Sequence, residues 1–400
     1  MKLNWSVPAN STPGSRRVAI TGLGVIAACG QGKDSFWQGL LEKPIDGERR
    51  IHNFDPSPWF GPKEARRADR FTQFAVGAAE LALQDAGTLN YDPDRSGVMI
   101  GTGIGGIGTL EEQIVIHKEK GPRRVSPFLV PLIMANAASA SVSMRKGWRG
   151  PCETTVTACA SGTHSIGNAA RLIASGRCDV MIAGGTEAAM TPVSIAGFTN
   201  MTALSSSGIS MPFDARRDGF VMAEGAAIVV LEDFESAKAR GAYIYAELSG
   251  AASTADAYHI TAPSPGGNGA STCMELALED AELDPSQIGH INAHGTSTPL
   301  NDAAEAEAIV KVFGNSAPPV TSIKGVTGHS LGAAGAMEAV AVALSIEKKL
   351  IPPTMGFSVP DPSINLDIVT QTRPWEPSAV LSNSFGFGGH NGCLVISPIK

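Results

Sequence analysis

The segment GAAGAMEAVAVALSIEK (residues 332–348) constrains the fold more than any other part of the chain. It reads as a helix that is apolar or small on nearly every side. A helix without a polar face cannot lie on a surface and must be buried all round. Residues 161–176 make a similar demand, with small side chains at Ser161, Gly162, Ser165, Gly167, Ala169 and Ala170. Sandwiching two such helices between two sheets meets it.

The rest of the pattern supplies the sheets. Short β-rich apolar runs alternate with longer helical segments: RVAITGLGVI, SGVMIG, CETTVTA, DVMIAGG and GAAIVVLED, then YAELSGAAS, GHINAHG, PPVTSIK, AVLSNSF and NGCLVIS. Strands apolar on both faces and separated by helices indicate buried sheets in an α/β protein. Helices are expected over 71–86, 161–176, 268–282, 302–313 and 332–348, the first stopped by Gly87. A soft boundary falls where the charged ESAKARG gives way to a new strand. It divides the chain into a polar lead-in over residues 1–16, a first half over 17–245 and a second over 246–400.

Bulk properties exclude several functions. The 400 residues, 43% hydrophobic and 17% charged, suffice for a large core. A net charge of −7 argues against a general nucleic-acid binder. No apolar run reaches the roughly 18 residues of a membrane span. The opening MKLNWSVPANSTPGSRR lacks the apolar stretch of a secretory signal. Six cysteines (Cys29, Cys152, Cys159, Cys178, Cys273 and Cys393) form no C-x-x-C pair and read as reduced thiols of a cytoplasmic protein.

Several strand-end loops carry chemistry. GHSLG (328–332) fits the G-x-S-x-G elbow of a serine hydrolase, with Ser330 as nucleophile and Asp361 and His390 following in order. Four residues separate it from its strand, however, and the 70 residues after Ser330 leave little room for the rest of a hydrolase. GTGIGG (101–106) matches a dinucleotide fingerprint, but TLEEQIVIHKEKGPRR follows where a second strand ending in an acid is required. TTVTACASG (154–162) is more informative. A β-branched strand runs into Cys159 at the start of a small-residue helix. Unpaired N–H groups and the helix dipole there favour a thiolate and can hold an oxyanion. NAHGTSTPLND (292–302) puts His294 at a strand end, before a helix capped by Asn301 or Asp302. SIKGVTGHSLGAAGA (322–336) adds Lys324 and His329, and SNSFGFGGHN (382–391) is a glycine-rich loop with Phe385 and Phe387.

In their order and spacing these motifs resemble the β-ketoacyl-[acyl carrier protein] synthases, the condensing enzymes of fatty-acid and polyketide assembly. The resemblance runs from about residue 17 to the end of the chain. It implies a thiolase-like fold, two similar mixed α/β halves in a five-layer αβαβα arrangement, and a homodimer. It also implies a decarboxylative Claisen condensation that elongates a fatty-acid chain. Cys159 takes an acyl group from acyl carrier protein, malonyl-acyl carrier protein loses CO2, and the carbanion attacks the acyl-cysteine. By the same resemblance the backbone N–H groups of Cys159 and Phe387 form the oxyanion hole. His294 and His329, as neutral imidazoles, donate N–H bonds to the enolate. Lys324 pairs with Glu338 and orients the site, and Phe385 supports it.

Substrate contacts follow in the same way. Thr296 and Thr298 match positions that touch the phosphopantetheine arm, though both also suit local turn capping. Ile104 matches a gate of the acyl pocket and resembles type II members, which elongate medium and long chains; it also suits plain core. Phe220 joins the substrate-binding set. Phe387 is the second gate, with Gly388 and its glycine neighbours giving the loop freedom to move. Carrier protein is acidic, so two basic clusters are candidate docking sites: Lys63, Arg66, Arg67 and Arg70, and Arg123 with Arg124. The implied chemistry has no cofactor bound to the protein, since the substrates ride on the carrier's phosphopantetheine.

Two departures from the family pattern stand out: Met211 where a basic residue is common, and Gly325 where a serine is frequent. Four rival readings remain at this stage. They are a polyketide ketosynthase paired with a chain-length factor, a degradative thiolase using Cys393 as a second reactive thiol, a chain-length factor without a nucleophile, and the serine hydrolase.

Overall fold

The computed structural model describes residues 16–42 and 46–399. The expected lead-in therefore lies outside the described residues, except for Arg16, which pairs with Asp179 at 3.0 Å. Among the described residues there are thirteen strands: β1 (Val18–Ala27), β2 (Gly30–Gln31), β3 (Ser96–Gly101), β4 (Cys152–Glu153), β5 (Val180–Glu187), β6 (Gly225–Asp233), β7 (Ala246–Ala255), β8 (Ile288–Asn292), β9 (Val320–Thr321), β10 (Leu350–Ile351), β11 (Arg373–Pro374), β12 (Ala379–Gly386) and β13 (His390–Ser397). Ten run in the order β4-β3-β5-β6-β1-β7-β13-β12-β8-β9, with β2 folded back on β1 and β10 paired with β11 apart.

That order contains the same arrangement twice. Reading from the outer edge inward, each half runs third, second, fourth, fifth, first in chain order, leaving β2 aside. Pairing senses repeat as well: two parallel pairs at the outer edge, then two antiparallel pairs inward. A short seam joins the halves, Ala19 opposite Glu247 and Ile20 opposite Ala246.

Helices fill the layers. The outer face of the first half carries α1 (Arg70–Ala86) and α2 (Ala137–Lys146); the outer face of the second carries α4 (Asn268–Asp280) and α5 (Pro299–Phe313). Between the halves lie α3 (Ser161–Ala174) and α6 (Ala334–Lys348), each touching strands of both. This is the expected five-layer sandwich. Every residue of α6 from Ala334 to Ile346 is buried, as its composition requires. The two central helices meet through small residues. A Cβ on Gly335 would sit 1.9 Å from the Thr163 hydroxyl, and one on Gly162 would sit 2.9 Å from the Ala336 nitrogen. Neither position tolerates a side chain without moving a helix.

Three expectations shift in detail. CETTVTA and PPVTSIK form ladders only at Cys152–Glu153 and Val320–Thr321. Both are outermost strands with one neighbouring strand each, Val320 also bridging to Ile368 on its far edge, and the chain peels away from them toward the middle layer. Helix α5 begins at Pro299 with Thr298 as its N-cap, accepting the Asn301 N–H, so neither Asn301 nor Asp302 is the cap. Proline at the first helical position sets that start, because its missing N–H has no intrahelical partner there in any case.

Candidate active site

Where β4 ends, the chain runs free to a tight turn, Ala158–Ala160, that opens directly into α3. Ala158 holds φ at 50°, a left-handed value costly for a residue with a Cβ. The strain aims Cys159, 7% exposed, into a cavity of about 350 Å³ between the halves. The Cys159 and Phe387 N–H groups both face its sulfur. Neither makes a backbone hydrogen bond among the described residues. Phe387 reaches this point on the loop after β12, where Gly388 and Gly389 hold φ at 84° and 74°.

The second half brings the remaining groups to the same cavity. His329 places Nε2 3.0 Å from the Cys159 sulfur. Its backbone is fixed by hydrogen bonds with Val221 and Ala223. The His294 ring stands edge-on to His329, centroids 5.3 Å apart, with Phe385 and Phe220 packed behind the two imidazoles. Lys324 donates to His294 Nδ1 at 3.3 Å and pairs with Glu338; both members of that pair are 1% exposed. An ammonium only donates, so the His294 proton sits on Nε2. Burial, and then the Lys324 charge, hold both imidazoles well below their ordinary range, so both are neutral.

The thiol departs from expectation. Burial pushes Cys159 up to about 12, against the opposing pull of Lys324 and the two N–H groups. Desolvation of the sulfur outweighs the helix N-terminus, so the resting group is a thiol hydrogen-bonded to His329 and not a standing thiolate. The Cys159, His294 and His329 ligand atoms lie within 4.8 Å of one another, a donor set a soft divalent metal could use, but the adjacent Lys324 ammonium opposes a cation.

Comparison with known proteins decides what this cluster belongs to. Residues 42–237 match the family model for the beta-ketoacyl synthase N-terminal domain, and residues 245–358 match its C-terminal domain. The chain belongs to the β-ketoacyl synthase family. Its relatives include the 3-oxoacyl-[acyl-carrier-protein] synthase 2 of Synechocystis, 47% identical over 96% of this chain and 99% of the relative. The Staphylococcus aureus protein of the same name is 46% identical over the same shares. Among solved structures, the ishigamide ketosynthase/chain length factor aligns with TM-score 0.91 and 34% identity, covering 96% of this chain and all of its own. A type II polyketide ketosynthase in complex with its acyl-carrier protein aligns with TM-score 0.88 and 35% identity, at the same coverage.

Other residues singled out from the sequence fall into place unevenly. Thr296 and Thr298 line the cavity, their hydroxyls 3.0 Å apart, so Thr298 both caps α5 and faces the site. Phe220 lines it too, against Phe198. Ile104 is 39% exposed and lies outside the cavity lining, on the loop after β3. Lys63, Arg66, Arg67, Arg123 and Arg124 are exposed, and the Arg67 guanidinium lies over the Phe128 ring, bringing the two basic stretches onto adjoining surface. Arg70 does not belong with them. Its side chain, 39% exposed, binds the buried Glu224 carboxylate at 2.8 Å and the Ile51 carbonyl, so its charge is already partnered within the protein.

The structure also disposes of several rivals. Ser330 is buried, and its hydroxyl donates to the Met337 sulfur instead of to a histidine. Asp361 pairs with Arg217. The Gly103 and Ile104 N–H groups, which a dinucleotide phosphate would need, bond to Glu187. Cys393 is fully buried against Asn383 and outside the cavity lining. Met211 is buried too, its N–H on Ser297, where a charged side chain would be desolvated. At Gly325 a Cβ would lie 2.0 Å from the Met355 carbonyl oxygen, so a serine at this position does not fit without moving the backbone.

Two buried carboxylates escaped notice in the sequence. Glu305 accepts the His294 and Gly295 N–H groups at 2.8 and 2.7 Å, fixing the loop that carries the histidine. Glu187 accepts from the Thr102 hydroxyl and from the Gly103, Ile104 and Gly332 N–H groups. A signal was present for Glu187: an acid closing the otherwise apolar VMIAGGTE strand must find buried donors.

Proposed function

We propose that this chain condenses an acyl group with malonyl-acyl carrier protein, releasing CO2 and giving a β-ketoacyl-acyl carrier protein two carbons longer, in fatty-acid elongation. The observation that carries the reading is the meeting of Cys159, His329 and His294 in one cavity with two backbone N–H groups that make no backbone hydrogen bond among the described residues. The Cys159 thiol attacks the acyl thioester as its proton passes to His329 Nε2. Charge on the carbonyl oxygen is taken by the Cys159 and Phe387 N–H groups, and the carrier thiol leaves with a proton. Malonyl-carrier then binds past Thr296 and Thr298. As its carboxylate departs as CO2, the enolate oxygen accepts N–H bonds from His294 and from His329, the latter ring carrying its proton on Nε2 once Cys159 is acylated. The resulting carbanion attacks the acyl-cysteine, the C–S bond breaks, and the expelled Cys159 sulfur takes up a proton from solvent to return to the thiol. Lys324, neutralised by Glu338, keeps the His294 proton on the cavity side.

Thioester and departing carboxylate supply the electron flow, so the reading includes no metal or organic cofactor. The exposed basic residues Lys63, Arg66, Arg67, Arg123 and Arg124 are assigned to an acidic carrier protein, and Ile104 to the acyl-length gate. A cytoplasmic homodimer completes the proposal, its two halves dividing near residue 245. Supporting the dimer, the edge strand β4 is exposed and lies beside Val156 and Met134, which are 52% and 44% exposed. Likeness to ketosynthases solved with a chain-length factor favours a second reading, a subunit that pairs with a different chain. Solution mass of the purified chain separates the two. Incubation with acyl-carrier proteins of several lengths tests the chemistry: the acyl mass should appear on the peptide bearing Cys159, and acylation elsewhere or nowhere refutes the scheme.

A further inference from the structure

The two N–H groups assigned to the oxyanion hole belong to separate elements, the turn before α3 and the loop between β12 and β13. One buried side chain bonds to the residues that flank both elements. His164, one turn into α3 and 7% exposed, sets Nδ1 2.8 Å from the Thr157 hydroxyl and Nε2 3.0 Å from the Asn391 carbonyl. A carbonyl only accepts, so Nε2 carries the proton, Nδ1 offers a lone pair, and the Thr157 hydroxyl donates to it. Burial holds this imidazole below its ordinary range, consistent with a single ring proton.

Both contacts are close to the reacting atoms along the chain. Thr157 lies two residues before Cys159. Asn391 stands opposite Phe385 in the β12–β13 hairpin, two residues from Phe387. The hairpin backbone packs directly on the ring, since a Cβ on Gly392 would lie 2.8 Å from His164 Nε2.

The second half shows what the same position looks like without this duty. The offset that relates Ala158 to Leu331, both with positive φ before a central helix, also relates Thr157 to Ser330 and His164 to Met337. The Ser330 hydroxyl donates to the Met337 sulfur at 3.5 Å. Methionine has no second polar atom, so the contact ends there. A two-ended polar strut stands only on the side that holds the nucleophile.

We propose that His164 is a positioning residue that fixes the separation of the Cys159 and Phe387 N–H groups, tying the nucleophile turn to the gate hairpin as an Nε2-protonated imidazole. This rests on the condensing reading above.

The test compares His164→Asn, which keeps an amide near Nδ1, His164→Gln, which keeps one near Nε2, and His164→Phe, which keeps neither. Acylation of Cys159 by acyl-carrier protein should slow about 10-fold in the Asn and Gln variants and about 100-fold in the Phe variant, with KM for the carrier substrate within about two-fold. Alkylation of Cys159 by iodoacetamide forms no oxyanion, and malonyl decarboxylation uses the other histidines, so both should keep their wild-type rates. Nitrogen-15 spectra of the wild type should show His164 as the Nε2-protonated tautomer. If the folded Asn and Gln variants acylate at the wild-type rate, or if acylation and alkylation fall together, the strut is overturned. The Asn and Gln variants decide the matter should the Phe variant fail to fold. A wild-type chain that takes up no acyl group overturns the condensing reading and this proposal with it.

Discussion

The turns Ala158–Ala160 and Leu331–Ala333 have the same construction and opposite fates. Each is a short 3-10 turn after an outer strand and before a central helix, and each opens on a strained residue, Ala158 at φ 50° and Leu331 at φ 46°. In the first, the Cys159 N–H makes no backbone hydrogen bond among the described residues and faces only its own sulfur. In the second, the equivalent Gly332 donates its N–H to Glu187 at 3.0 Å. One turn is left open to a substrate anion. The other is closed by the protein's own carboxylate. A duplicated fold therefore leaves one of its two turns open for the proposed oxyanion site, and the difference lies in which strand ends in an acid: β5 ends at Glu187, whereas its counterpart β12 ends at Gly386, with the backbone of Phe387 beyond.

The largest effect should come from the open turn. Cys159→Ala should lower condensation by at least about 10³-fold, while malonyl decarboxylation persists because His294 and His329 remain. Product analysis by mass spectrometry checks both, and full elongation activity in this variant would falsify the assignment.

Next in size is a contrast between the two central helices. Glu338 on α6 corresponds to Ser165 on α3 by the same offset. Glu338→Ala leaves the Lys324 ammonium buried without its partner and should cost roughly 3–5 kcal/mol in chemical denaturation. Ser165 is buried with its hydroxyl unpartnered, so Ser165→Ala should stay within about 0.5 kcal/mol of wild type or stabilise. Equal losses at the two sites would show that the helices are not specialised in this way.

Between these lies the closed turn. Burial raises the Glu187 carboxyl to about 7, above the 4.5 ordinary for the unfolded chain. The folded protein thus holds a proton that the unfolded chain releases. Its contribution to stability is fully present below about pH 4.5 and is lost as pH rises through about 7. Glu305, raised to about 7 for the same reason, acts in the same direction. Glu187→Gln should cost about 1–3 kcal/mol near pH 5, because one of its two pairs of donors then faces an amide. It should also flatten the fall in stability between pH 4.5 and 7. An unchanged slope in a urea series across that range would remove Glu187 from the account.

Much of this was legible in the residues themselves. All-round apolarity of α6 and small-residue spacing in α3 required a sandwich, and the strand-end motifs put Cys159, His294, Lys324 and His329 in loops. Details that depend on solvation were not. A helix N-terminus after Cys159 suggested a thiolate, yet the depth of the cavity makes the thiol the resting form. Arg70 read as one more surface charge in PKEARRADR, but the Glu224 carboxylate that claims it is 154 residues away in the chain.

The sequence alone determined that two buried helices lie between sheets and that Cys159, His294, Lys324 and His329, the groups proposed to react, stand in strand-end loops, because periodicity and side-chain chemistry are local properties. Only the tertiary structure decided that the same turn occurs twice, that Glu187 closes one copy, and that His164 bridges the elements around the other. Those facts depend on which donors and acceptors meet across more than a hundred residues of chain, and on how far burial strips them of water.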